Sequence, residues 1–126
     1  MHRAGTAPDN AQAVAARKEL HARHCSVRIA RTGTTRIIGP SSAGIYNPSA
    51  RVTHVAGLPK EGGHLAFISH SGFLSEEFVK SAADRGMRCS KVVSCGSDSD
   101  LTATDFLEYF GADPDTHAIG AYLEGV

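Results

Sequence analysis

Between residues 64 and 123 the spacing of apolar positions changes repeatedly, and each change marks an element. HLAFIS (64–69) carries four successive apolar residues, the pattern of a strand covered on both faces. SHSG (69–72) interrupts it. Leu74, Phe78, Val79, Ala82 and Ala83 then fall on one face of a helix over 72–85, and Gly86 stands where a left-handed cap ends it. KVVSC (91–95) reads as a second buried strand and GSDSDL (96–101) as a polar loop. Thr102 and Asp105 match a capping box that opens a helix carrying Phe106, Leu107 and Phe110, which Gly111 and Pro114 end. HAIGAYL (117–123) is a third strand.

Upstream the signals are shorter. Residues 11–33 read as helix, continuous or interrupted, with Gly33 as its stop. TTRII (34–38) and Arg51 to Ala56 read as strands, 39–44 as a loop, and Lys60 to Gly63 as a turn. The alternation strand, helix, strand, helix, strand after residue 64 implies an α/β fold. Its parallel strands are joined by right-handed crossovers. Three such strands are half of a doubly wound sheet, so the sequence predicts an incomplete sheet, or one completed by another chain.

Composition narrows the function classes. The chain has 126 residues, 41% hydrophobic and 21% charged, which excludes a disordered segment and leaves room for one domain plus a flanking piece. Thirteen basic residues balance thirteen acidic ones, which argues against a general nucleic-acid surface. No stretch is long and apolar enough for a membrane span, and the first residues lack a secretory signal. Three cysteines do not make a disulfide framework, and a cytoplasmic location is the expectation. All five Phe and all three Tyr lie after residue 45, so the core belongs to the C-terminal two-thirds.

In open α/β sheets ligands bind beyond the carboxyl ends of the strands. The loops to weigh are therefore 39–44, 69–72, 96–101 and 124–126. Loop 69–72 leads from a buried strand into a helix start, with its free N–H groups and positive dipole end. Ser69 and Ser71 add hydroxyls, Gly72 lets an anion approach the backbone, and His70 is the nearest cation when protonated. Ser71 as a plain helix cap is the alternative. A nucleophile elbow fits poorly, since Ser69 and Phe73 occupy the places where that motif needs Gly. Asp98, Asp100 and Asp105 offer carboxylates for Mg²⁺ or for capping the following helix. Glu124, at the end of the last strand, is either functional or an ordinary exposed residue. His21, His24 and Cys25 lie close together, but no CxxC or HExxH spacing occurs, so no metal site is expected.

Four ordered segments carry a family resemblance: GPSSAGIYNP (39–48), GHLAFISHSGFLSEEFVKSAADRGM (63–87), SCGSDSDLTATDFLEYF (94–110) and DPDTHAIGAYLEGV (113–126). Together, over residues 21–126, they resemble the NDP-forming acyl-CoA synthetases, which include succinyl-CoA synthetase α subunits and ADP-forming acetyl-CoA synthetases. The resemblance implies a flavodoxin-like or Rossmann-like three-layer sandwich. Residues 1–40 would be the end of a CoA-binding Rossmann-like domain, and 41–126 the first part of a flavodoxin-like ligase domain.

By resemblance, Ser69, Ser71 and Gly72 match an S-x-SG segment that opens a helix facing a phosphorylated histidine. His70 stands where relatives carry Gln or Arg, and would join the phosphate contacts. Glu124 would orient the catalytic histidine. Ser41 and Ser42 fall in the family's CoA-side loop, with Ser41 in place of its Asn. The phosphorylated histidine would lie after Val126, the glycine-rich CoA loop before Met1, and an ATP-grasp domain elsewhere. The implied cofactors are CoA and ATP/ADP with Mg²⁺. The implied partners are the remainder of the ligase and an ATP-grasp domain or subunit, in a homo- or hetero-oligomer without nucleic acid or membrane. The implied role is a fragment or split subunit of an acyl-CoA synthetase, working on carboxylate, CoA and ATP through a phosphohistidine. A non-catalytic binding or assembly module of the same fold, or part of a protein lysine acetyltransferase, is the alternative.

Overall fold

The computed structural model describes residues 26–125, in two compact units divided between Thr35 and Arg36. In the first, residues 26–32 are helical, and the Gly33 N–H donates to Ala30 O at 3.1 Å where the helix stops. The helix predicted from residue 11 lies outside the described residues as far as Cys25.

The second unit is a four-stranded sheet between two helices. Its elements are β1 (Gly44–Tyr46), β2 (Leu65–Ser69), α1 (Gly72–Asp84), β3 (Cys89–Ser94), α2 (Ala103–Gly111) and β4 (Ala118–Tyr122), with the strands ordered β1-β3-β2-β4. β2 pairs in parallel with both β3 and β4, as the strand–helix alternation predicts. β1 pairs antiparallel with β3, so the sheet is mixed and not wholly parallel.

The period of two along β2 sorts its side chains onto opposite faces. Phe67 packs with Val92, Cys89, Val79, Ala82 and Tyr46 under α1. Ala66 and Ile68 pack with Val93, Cys95 and Phe110 under α2. Phe67 and Phe78 stack at 3.9 Å between the sheet and α1. The two helices thus cover opposite faces, giving the α/β, flavodoxin-like sandwich.

The local signals before and after α1 hold. Ser71 caps it, accepting from Leu74 N, and at its end Gly86 N donates to Ala83 O and Met87 N to Ala82 O, with Gly86 at φ 75°. The Thr102–Asp105 capping box opens α2.

Two predicted strands are absent. Residues 36–40 form no strand and bond to a loop instead: Leu101 N donates to Ile37 O, Ser99 N to Gly39 O and Ser97 N to Pro40 O. Residues 51–56 form no strand either. Val52 alone bridges Asn47, closing a tight turn after β1. Both segments have β-prone residues but no neighbour offering a ladder. The strand the sequence hid was β1, three residues long and opened by Gly44 at φ 115°.

Candidate functional site

β2 lies at the centre, with its chain leaving toward α1 on one face and with β4 beside it. The carboxyl ends of these two parallel strands form the kind of crevice where α/β sheets bind ligands. Two hydrogen bonds tie its walls together. The His70 N–H donates to Tyr122 O at 3.0 Å, and the Glu124 N–H donates to His70 Nδ1 at 3.0 Å.

The structure brings together five of the predicted residues: Ser69, His70, Ser71, Gly72 and Glu124. Their roles differ from a simple ring of phosphate donors. Ser69 is fully buried, and its hydroxyl is already used, donating to Ser71 O at 2.7 Å and accepting from Ser71 N at 3.0 Å. Ser71 Oγ accepts from Leu74 N at 3.3 Å, so capping is real. Gly72 and Phe73 are the first two helical residues, and no preceding turn takes their N–H groups. A Cβ at Gly72 would stand 2.7 Å from the Ala43 side chain, so its bareness serves close packing as well as any approach from solvent.

Glu124 contributes its backbone N–H, and its side chain is exposed. Because Nδ1 of His70 accepts from that N–H, Nε2 carries the ring proton and donates to Asp98 Oδ2 at 3.0 Å. Both ring nitrogens of His70 are thus engaged by this chain's own groups.

Ser41 is exposed, with φ 59°, and makes no contact with this group. Ser42 Oγ donates to Ser94 O and accepts from Gly44 N at 3.0 Å, fastening the 39–44 loop to the end of β3. Ala43 N donates to Ser94 Oγ at 3.1 Å, which sets Ala43 against Gly72.

The three aspartates of the following loop separate cleanly. Asp105 completes the capping box, and the Thr102 N–H it accepts holds its carboxyl below the usual range. Asp100, buried, takes both prongs of Arg36 at 3.0 and 3.1 Å and the Ile37 N–H at 2.8 Å. Asp98, in the left-handed region at φ 48°, turns into the crevice. Its Oδ2 accepts from His70 Nε2 and from Ala103 N, and its Oδ1 is buried with no hydrogen-bond partner.

Cys95 closes the group from below. Its thiol is fully buried and reaches Ser69 O at 3.4 Å. Burial, helped by the Asp98 carboxylate, pushes its pKa up to about 12. One ligand atom each from His70, Cys95 and Asp98 lie within 4.8 Å of one another. Cys95 and Asp98 share one loop, but sequence spacing could not bring His70 to them, because it lies in a different loop 25 residues upstream of Cys95.

The chain matches the family model described as "Succinyl-CoA ligase like flavodoxin domain" over residues 62–126. It is 35% identical over 100 residues to the ADP-forming acetate–CoA ligase II subunit alpha of Pyrococcus furiosus, an alignment covering 79% of this chain and 22% of that protein. It is 37% identical over 100 residues to the ADP-forming acetate–CoA ligase of Methanocaldococcus jannaschii, covering 78% of this chain and 14% of that protein. Among solved structures it resembles a "dinucleotide forming" acetyl-coenzyme A synthetase 1 of Ca. Korarchaeum cryptofilum, in complex with phosphate and ADP. That match has a TM-score of 0.73 and 35% identity, and covers 82% of this chain and 23% of that one. The chain thus spans less than a quarter of the length of these relatives.

Proposed function

From the premise that the chain belongs to the NDP-forming acyl-CoA synthetases, through their succinyl-CoA ligase-like flavodoxin domain, we propose that it supplies the phosphate-facing helix start of such a ligase. The observation that carries this reading is the position of the β2–α1 turn. It places the uncapped N–H groups of Gly72 and Phe73 at the crevice between the ends of two parallel strands. In this reading residues 41–126 are the first part of the ligase domain, and residues 1–40 end a CoA-binding domain. The remainder of the ligase and an ATP-grasp partner supply the histidine that carries the phosphoryl group and the nucleotide with its Mg²⁺.

The chain's own residues then have limited tasks. The Gly72 and Phe73 N–H groups and the positive end of α1 stabilise negative charge on a transferring phosphate, as fixed dipoles do in such steps. Ser69 holds the turn in shape with its hydroxyl committed to Ser71 O, while Ser71 caps the helix through its Oγ and keeps its own O–H to offer the anion. The Glu124 carboxylate, exposed at the rim, is free to accept from and orient an imidazole brought by the partner. CoA and carboxylate are the co-substrates the family implies.

A specific observation favours the alternative, a binding or assembly module without chemistry. Asp98 places a carboxylate beside His70, where an anion gains nothing from it. The two readings separate in one experiment. Phosphate is titrated against the isotope-labelled chain while amide shifts are followed, and acyl-CoA formation is assayed with the remainder of the ligase and an ATP-grasp subunit added. The ligase reading expects the amides of residues 70–73 to move first and activity to appear on addition of the partner. If residues elsewhere respond while 70–73 stay still, the phosphate-facing role is wrong.

A further inference from the structure

We propose that His70, Cys95 and Asp98 form a three-ligand site for a zinc-class divalent cation. The site is independent of the phosphate reading above. Two segments that are distant in sequence deliver the ligands: His70 from the β2–α1 turn, and Cys95 and Asp98, three residues apart, from the β3–α2 loop. Their ligand atoms already lie within 4.8 Å of one another. A tetrahedral ion holding N, O and S at about 2.0 to 2.3 Å sets them about 3.3 to 3.8 Å apart, so the group must close by about an ångström.

The cluster is held by the fold and not by chance side-chain contact. β2 and β3 pair Ser69 with Ser94, and Cys95 N donates to Ser69 O at 2.8 Å, which fixes the thiol beneath the residue that precedes His70. Asp98 Oδ2 is anchored by Ala103 N at the start of α2. Oδ1 is buried, and beyond the donors to Oδ2 only the weakly donating Cys95 thiol acts on the same carboxylate. An ion in the cluster takes the place of that thiol proton between sulfur and oxygen.

The donor set selects the ion. Thiolate, imidazole and a single carboxylate oxygen suit zinc and its neighbours, whereas Mg²⁺ and Ca²⁺ prefer oxygen ligands throughout. With Cys95 and Asp98 ionised, two negative charges balance a divalent ion. The Cys95 thiol proton leaves to solvent. The His70 ring proton moves from Nε2 to Nδ1, where the Glu124 N–H now points, so that peptide must turn away on uptake. Water or an oxyanion takes the fourth position, at the open crevice.

The test uses the full chain after chelator treatment, titrated with Co²⁺. One equivalent should produce thiolate-to-cobalt charge-transfer absorption, and Zn²⁺ but not Mg²⁺ should bleach it. Cys95→Ser should abolish the band, while Cys25→Ser and Cys89→Ser keep it. His70→Ala and Asp98→Asn should each weaken binding at least about tenfold. Should Cys95→Ser fold poorly, the amide of Glu124 in the unaltered chain gives the second readout, and it should shift as Zn²⁺ is added. A wild-type chain without the band overturns the proposal. So does a band that survives Cys95→Ser but disappears in Cys25→Ser, undiminished affinity in Asp98→Asn, or an unmoved Glu124 amide.

Discussion

Alanine substitution at Gly96, Gly86 and Gly111 should give three different stabilities, because only Gly96 has both a positive φ and a backbone wall against it. Gly96 has φ 62°, and a Cβ there would stand 2.1 Å from Pro40 O, 2.8 Å from Ser41 C and 2.9 Å from Ser42 N. None of these is a flexible side chain. The left-handed backbone alone costs about 1 to 2 kcal/mol for an L-residue. Relieving the overlap separates the 39–42 and 96–99 loops and endangers the bonds from Ser97 N to Pro40 O at 2.9 Å and from Ser99 N to Gly39 O at 3.2 Å. Each is worth about 1 kcal/mol, so Gly96→Ala should cost about 3 to 4 kcal/mol in all. Gly86 has φ 75° but open space around it, so its alanine variant should lose only about 1 kcal/mol or slightly less, the backbone term offset in part by a less flexible unfolded chain. Gly111, which ends α2 without a positive φ or a neighbour within 4 Å, should gain about 0.4 to 1 kcal/mol on becoming alanine. Urea unfolding followed by far-ultraviolet circular dichroism measures all three. If Gly96→Ala falls within about 1 kcal/mol of Gly86→Ala, the close approach of the two loops is refuted.

Two further outcomes test separate parts of the fold. Asp113 accepts from Lys91 and from Thr116 Oγ1, and the Lys91 contact above all holds its carboxyl below the usual range. Folded Asp113 therefore binds a proton more weakly than unfolded Asp113. Its stabilisation is present above about pH 3.9 and is lost as pH falls through the lowered value, and Lys91→Met should flatten that part of an acid unfolding profile. Thr102→Ala removes one half of the α2 capping box and should cost about 1 kcal/mol in the same urea assay, with an unaltered m-value.

How much of this was legible in the sequence depends on the range over which each signal acts. The Ser71 cap, the Gly86 turn and the Thr102–Asp105 box are set within four residues, and all three stand as read. The apolar run Leu65–Ile68 announced a strand covered on both faces, and both faces are covered. β1 escaped notice because Gly44, Ile45 and Tyr46 are too few to show a period, and its strand character comes from β3 alongside. The 34–38 and 51–56 segments failed for the opposite reason, having strand-like residues without a partner strand. At the site, the position of loop 69–72 was readable from topology. The meeting of His70 with Asp98 and Cys95 was not, because it depends on the register of β2 against β3. The hydrogen bond from the Glu124 N–H to His70 also needed coordinates, since a backbone donor leaves no mark in composition.

The short antiparallel β1 gives the sheet a direction of growth. On that side the ladder stops after three residues, and the Asn47–Val52 turn folds across its end, so little backbone is offered to a newcomer. On the other side β4 presents five residues, of which Ala118, Ala121 and Tyr122 are exposed, and no strand among those described lies beyond it. The module therefore behaves as a template with one live end. Any strand that extends it, from this polypeptide or another, adds next to β4. It then arrives beside the Tyr122–Glu124 wall of the crevice, so the step that completes the sheet also sets the outer boundary of the site.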